Sequence, residues 1–309
     1  MFFRLTRVLA VHADEHTRRW TLTTTVNDDM RIHSAVFSTA ATQEVSVPTL
    51  STSFTFYRPG PLKTTHTLFA VVETPRECRK THDILLPAIV STLAQAYSDD
   101  MDKRDGMDCT PGEPLPTPEN NAIDHAIRTG VAEVIPTHGQ VAVGVGVYDH
   151  ADKKMKLAFN SKTKHGVTRA LVGRRLVGDE TSTWTGLETI PPLSSYSFEF
   201  FGNDDTRSED GVNLATTQTI GKGDFVVLAS RHVWETMNEQ EVGDLVAKFK
   251  ASRSMRRLPF GIGHSEFEGS NVGVHLARAV VAKTQALDGN TPETPKAHNG
   301  IAIQVIFFD

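Results

Sequence analysis

Two alternating stretches open the chain. Residues 31–40 (RIHSAVFSTA) and 45–57 (ending in TLSTSFTFY) are rich in β-branched and aromatic residues and predict strands. Thr21–Val26 reads as a further strand before them. Leu68–Val72 (LFAVV) is a short continuous apolar run, the pattern of a strand buried on both faces. Ile84, Leu85, Ala88, Ile89, Leu93 and Ala96 then recur at three- and four-residue steps, which predicts an amphipathic helix over 78–97 with Pro87 as its kink. Residues 99–119 are polar and rich in Pro and Gly and read as a long loop; 120–135 reads as a second helix.

Val141–Tyr148 and Lys154–Phe159 predict a hairpin around Asp149–Asp152, and the stretch 167–177 predicts a further strand pair. Residues 179–211, with Pro191-Pro192 and Asn203-Asp204-Asp205, read as irregular. One strand is expected over Leu214–Ile220 and another over Phe225–Ser230. They are joined by the turn sequence Gly221-Lys222-Gly223-Asp224. A helix over 238–250 has Asn238 as its N-cap and acidic residues in its first turn. Residues 252–270 read as a loop, 272–287 as an amphipathic helix and 301–308 as a last strand. This order predicts one α+β domain, with strands in two groups and helices outside them.

Composition narrows the classes. With 309 residues, 39% hydrophobic, 22% charged and a net charge of −5, the chain has the make-up of a globular protein, with no concentrated positive field for nucleic acid. Arg174-Arg175 and the 253–257 arginines read as solvated faces. Two cysteines, Cys78 and Cys109, make neither a disulfide framework nor a Cys-rich zinc module and point to a reducing compartment. No apolar run is long enough to span a bilayer. Met1–His12 carries two arginines and no acid, the opening of a transit peptide, but Asp14 and Glu15 interrupt it. The 13 histidines show no zinc-binding spacing, and no phosphate loop, dinucleotide loop or nucleophile elbow occurs.

Three segments, in order, resemble the PP2C (PPM) family of metal-dependent serine/threonine phosphatases. The first is Leu68-Phe69-Ala70-Val71-Val72-Glu73-Thr74-Pro75-Arg76-Glu77, followed by a helix carrying Leu86-Pro87. Active members have Phe-x-Val-Phe-Asp-Gly-His-Gly-Gly there. The second is Gly223-Asp224-Phe225-Val226-Val227-Leu228-Ala229-Ser230-Arg231-His232-Val233-Trp234-Glu235, where the family reads Asp-x-Phe-x-Val-Leu-Ala-Ser-Asp-Gly-Leu-Trp-Asp. The third is the last helix and then Ala297-His298-Asn299-Gly300-Ile301-Ala302-Ile303, against Asp-Asn-Ile-Thr-Val-Ile-Val. The resemblance implies a four-layer αββα sandwich with two central, mainly antiparallel sheets. It covers 30–309 and leaves 1–29 as an N-terminal extension.

It also implies a mechanism. Active members hold two Mg²⁺ or Mn²⁺ ions on carboxylates and direct a metal-bound water at a phosphoserine or phosphothreonine, chemistry that needs hard oxygen ligands. Here the resemblance implies degenerate metal-site positions at Glu73, Thr74, Arg231, His232, His298 and Asn299. Glu73 keeps the charge with an added methylene, and Thr74-Pro75 replaces a Gly-rich turn. Arg231 puts a permanent cation where an anion belongs. Unit charges 4 Å apart at an effective dielectric near 20 interact by about 4 kcal/mol, and a divalent ion by twice that. Pairing of Arg231 with Glu73 would fill the former metal site.

The expectation is a PP2C-like pseudophosphatase with no Mg²⁺ or Mn²⁺ cofactor and no catalytic residue. It would serve as a scaffold for protein partners in a larger assembly, cytoskeletal (ciliary) or mitochondrial, with no nucleic-acid or membrane partner. The contact surfaces would be 1–29, 99–119, 179–211 and 252–270. Two other readings stand beside it. One is a divergent active phosphatase that recruits Glu73, Asp204, Asp205 or Glu235. The other is a phospho-ligand module built on Arg231, His232 and His298.

Overall fold

The computed structural model describes residues 12–14, 19–27, 30–37, 49–57, 63–73, 142–150, 152–160, 169–176, 196–201, 212–214, 217–256, 271–287 and 301–309, with isolated helical positions between 88 and 129. Two sheets carry these residues, and the chain divides into two units, one on each sheet.

The first unit holds β4 (Thr49–Tyr57), β5 (Lys63–Glu73), β6 (Ala142–Asp149), β7 (Lys154–Asn160), β10 (Val212–Leu214) and β11 (Gln218–Thr219). The sheet runs β10-β7-β6-β5-β4, with β11 also on β7, and its pairs are antiparallel. Leu68–Val71 of β5 are fully buried, as the unbroken apolar run requires. The β6–β7 hairpin turns where its sequence says it should. Lys153 adopts φ 54° and the Asp149 carboxylate accepts the Asp152 N–H at 3.3 Å. Single helical positions at Ala88, Ser91, Thr92 and Gln95, and at His125, Arg128 and Thr129, fall inside the two helices expected in this stretch.

The second unit holds β1 (His12–Asp14), β2 (Arg19–Asn27), β3 (Met30–Phe37), β8 (Arg169–Arg175), β9 (Tyr196–Phe201), β12 (Phe225–Ala229) and β13 (Ile301–Phe308) in the order β1-β2-β3-β13-β12-β8-β9. Its helices are α1 (Arg231–Thr236), α2 (Glu239–Arg256) and α3 (Val272–Leu287). The strand over 19–27, within the stretch read as an extension, pairs with β3 from Arg19↔Phe37 to Asn27↔Met30. Every residue of β13 from Ile301 to Phe308 is buried. Its alternate residues Ile301, Ile303, Val305 and Phe307 join Phe225 and Val227 of β12, Val233 of α1, Val242 and Val246 of α2, and Leu276 and Val280 of α3 in one core.

Each sheet repeats one device: a phenylalanine ring laid over a cross-strand glycine. Phe69 is in register with Gly146, and Phe225 with Gly173. A Cβ on Gly146 would lie 2.1 Å from the Phe69 ring, and one on Gly173 2.3 Å from the Phe225 ring. These glycines are required by close approach, and the rings fill the volume their missing side chains leave.

Four expectations need correction. Residues 167–177 hold one strand, β8, because Arg169–Arg175 contains no turn and pairs on both sides, with β12 and with β9. Residues 179–211 contain β9, whose Tyr196, Phe198 and Phe200 lean on the core between exposed Ser197 and Glu199. The strand expected over 214–220 is two short pieces, β10 and β11, both on β7. Helix α2 continues to Arg256, into the stretch 252–270 read as a loop.

Candidate functional site: the turn from β12 into α1

β12 ends at Ala229, and Ser230 locks the turn that follows. Its N–H donates to the Ala302 carbonyl at 2.9 Å, and its hydroxyl accepts the Ala302 N–H at 3.0 Å. Ser230 thus ties β12 to β13 at the point where the chain leaves the sheet, and the Ser230 carbonyl then accepts the Val233 N–H to start α1. Trp234 closes the turn from below. Its indole N–H donates to the Ala229 carbonyl at 3.0 Å, and its ring meets Phe200 edge-on with centroids 5.0 Å apart. Arg169 lies over the Phe200 ring, 5.5 Å from its centroid.

Arg231 is the first residue of α1 and is partly exposed. Its Nε donates to the Glu235 carboxylate one turn along, an i,i+4 ion pair. His232 is half-buried, with Nε2 3.4 Å from the Thr284 hydroxyl of α3. Of the other positions singled out from sequence, Glu73 is the last residue of β5 and pairs in register with Ala142. Its side chain, and residues Thr74, His298 and Asn299 altogether, lie outside the described residues. Pairing between Arg231 and Glu73 is therefore not described, whereas pairing between Arg231 and Glu235 is. A guanidinium and its carboxylate partner do not fit a divalent cation, and among the described residues no three His, Cys, Asp or Glu side chains converge as a metal ion would need.

The helix after the turn is fixed by a reciprocal cap. Asn238 Oδ1 accepts the Glu241 N–H at 2.8 Å, and the Glu241 carboxylate accepts the Asn238 N–H at 2.9 Å. Glu241 also receives the Lys283 amine of α3 at 2.7 Å. The Lys283 hydrogen bond, helped by the backbone N–H of Asn238, holds the Glu241 carboxyl below its ordinary value. A depressed carboxylate stabilises the fold above its unfolded value and loses that contribution as pH falls through its folded value. In a Lys283→Ala variant the Glu241 titration, followed by side-chain carboxyl NMR, is expected to move up toward the ordinary glutamate range. An unmoved midpoint would assign the depression to the cap alone.

The far end of β12 carries a polar cluster that the sequence reading missed. Gly223 turns with φ 94°, and its carbonyl takes the Lys250 amine at 2.8 Å and the Tyr196 hydroxyl at 3.3 Å. Lys250 also lies 3.6 Å from Asp309, which Arg31 pairs with from β3. Burial lowers the Lys250 amine from its usual value, against the pull of Asp309, and burial raises the Tyr196 phenol, with Arg175 opposing. The Lys250 penalty is therefore present at neutral pH and relieved as pH climbs to the ordinary lysine value. The Tyr196 contribution is intact below the ordinary tyrosine value and lost above its raised one. The members of this cluster are up to 278 residues apart along the chain, so no local pattern announces it.

The architecture matches known structures. The serine-threonine phosphatase 2C from Toxoplasma gondii superposes with a TM-score of 0.52 at 12% sequence identity, covering 94% of this chain and 99% of that one. The phosphatase domain of the cell fate determinant SpoIIE from Bacillus subtilis (TM-score 0.43, 11% identity, 92% of this chain and 94% of that one) resembles it more loosely. So does the Mycobacterium tuberculosis serine/threonine phosphatase PstP/Ppp (TM-score 0.39, 12% identity, 91% and 99%). No family model and no curated protein matches the sequence. The fold is α+β and PP2C-like, as the three motifs implied.

Proposed function

We propose that this chain is a pseudophosphatase, a PP2C-like scaffold without metal-dependent hydrolysis that acts as a structural or regulatory protein-interaction subunit of a larger assembly. One observation carries the reading. The residue that follows Ser230 out of β12, where the resemblance implies a metal-ligating aspartate, is Arg231, and its guanidinium is engaged with Glu235 on the same helix. A fixed cation at that position opposes a divalent ion, and the neighbouring carboxylate is occupied by the arginine. The scaffold reading rests on the same substitution, and the strand-to-helix turn that carries it is tied by protein hydrogen bonds from Ser230 and Trp234.

The test is turnover and metal binding together. With a phosphoserine or phosphothreonine peptide and added Mn²⁺ or Mg²⁺, hydrolysis is expected at the rate of the metal–buffer blank, and calorimetric titration with Mn²⁺ should give no saturable heat. Mn²⁺-dependent turnover that disappears in Glu73→Ala would establish a divergent active phosphatase instead. Saturable binding of a phosphopeptide without turnover, abolished in Arg231→Ala, would establish the phospho-ligand module. Affinity purification of the full chain, with recovery of a stoichiometric protein partner, tests the assembly role.

A further inference from the structure

The N-terminus of α3 is held against β3 by side-chain hydrogen bonds. Asn271 caps the helix, its Oδ1 accepting the Gly273 N–H at 2.8 Å, while its amide donates to the Ser34 carbonyl at 3.0 Å. The Val274 N–H reaches the Asn271 carbonyl at 3.3 Å. The first turn lies so close to the strand that a Cβ on Gly273 would come within 3.0 Å of the Ala35 side chain. One more contact completes the clamp: the N–H of Val272 donates to Nδ1 of His33, at 3.2 Å, and His33 is fully buried.

That contact fixes the chemistry of the ring. An imidazole nitrogen that accepts a hydrogen bond carries no proton, so His33 is neutral with its proton on Nε2. We infer that His33 is a proton-operated latch: a proton taken up at Nδ1 removes the acceptor of the Val272 N–H and releases the first turn of α3 from β3.

The surroundings make the two states exclusive. An imidazolium at this point would face the positive end of a sixteen-residue helix. From α2 the ring meets Phe249, edge-on at 5.7 Å, and from β13 Phe307, edge-on at 5.2 Å. Across the strand pair its register partners are Thr23 of β2 and Val305 of β13. Among the described residues, the titratable and charged groups that touch these neighbours or flank the ring in sequence are His275 of α3, which packs on Phe249, Lys250 of α2, which lies over Phe307, Arg31 of β3, and Asp309 beyond the end of β13. Asp309, the one acid among them, is engaged by Arg31 and Lys250. Among the described contacts, a helix N-terminus and two aromatic edges thus face a ring that can accept the Val272 N–H only while neutral. The latch does not depend on whether the chain hydrolyses phosphate.

Hydrogen exchange on the full chain tests it. Protection of the Gly273 and Val274 amides, corrected for intrinsic exchange, is expected to fall by up to about tenfold between pH 7.5 and pH 5.5, the limit for one imidazole of ordinary affinity in the open state, while that of β12 and β13 holds. In His33→Gln, whose amide oxygen accepts a hydrogen bond but does not titrate in this range, the fall should vanish. An equal fall in His33→Gln, or protection that is lost from α3 and β13 at the same pH, overturns the inference. Should His33→Gln not fold, ¹⁵N NMR of the wild-type imidazole decides. An unprotonated Nδ1 at pH 7.5 that gains its proton as the α3 amides open supports the latch; a protonated Nδ1 at pH 7.5 overturns it.

Discussion

Phe225→Ala is expected to lower the unfolding free energy by about 3–5 kcal/mol, the cost of emptying a fully buried aromatic site. The ring sits among Tyr196 at 5.2 Å, Phe198 at 6.2 Å and Phe307 at 6.4 Å, so three aromatic residues lose contact area at once. It also covers Gly173, where the three atoms nearest an added Cβ all belong to this ring. Gly173→Ala drives a methyl into the same ring at 2.3 Å and is expected to cost about 1–3 kcal/mol by overpacking. The pair should not be additive. With the Phe225 ring gone the alanine methyl occupies freed volume, so the double variant should be more stable than the sum of its parts predicts, by roughly 1–2 kcal/mol. Urea titration of the four proteins, compared at constant m-value, measures this. Additive costs would mean that ring and glycine do not share one volume.

The elements that could be read from the sequence are those whose local signals agree. β13 and α3 fall on their expected ranges, because Ile301–Phe308 is apolar at every position but Gln304 and 272–287 keeps a helical apolar repeat. The start of α2 was legible from Asn238 and Glu241, and both halves of the capping box form. β9 was equally legible in principle, since Tyr196, Phe198 and Phe200 alternate with Ser197 and Glu199. The prolines before it and the acidic run after it give the whole segment the composition of a loop and mask the alternation. In 214–220 the apolar and β-branched residues suggested one strand, but pairing with β7 is split into two short pieces. Nothing in a one-dimensional pattern reports where a partner strand stops.

The candidate site divides in the same way. Placing Arg231 at the end of β12 required only the order of motifs, and the fold carries it there. Its described partner is Glu235, one helical turn away, a spacing that was in view from the start and yields to no long-range argument. Contacts such as Ser230 to Ala302, His33 to Val272 and Arg31 to Asp309 join residues that are distant in sequence, and only the register of β13 between β3 and β12 brings them together. A buried His, an Asn before a helix and a terminal Asp are unremarkable alone, and the sheet order gives them their roles.

Asp224 shows what such an ordinary residue can carry. It stands in the turn sequence Gly221-Lys222-Gly223-Asp224 and is buried. Its two carboxylate oxygens accept two backbone donors, Gly221 N–H at 2.7 Å and Arg175 N–H at 2.8 Å, which fastens the turn to the end of β8. Its own carbonyl accepts the Phe308 N–H at 3.1 Å, and next to it the Gly223 N–H donates to Phe308, so β13 is held at the same point. Asp224→Ala strips both donors of a charged acceptor and is expected to cost about 2–4 kcal/mol. Asp224→Asn keeps the shape but offers one acceptor oxygen and one NH₂ group to two N–H donors, so one hydrogen bond is lost and one contact turns repulsive. The asparagine variant should therefore recover less than half of the loss. Urea unfolding ranks the three proteins, and hydrogen exchange at Arg175 and Gly221 locates the damage. An Asp224→Asn protein as stable as wild type would show that the turn needs the bulk at this position and not its charge.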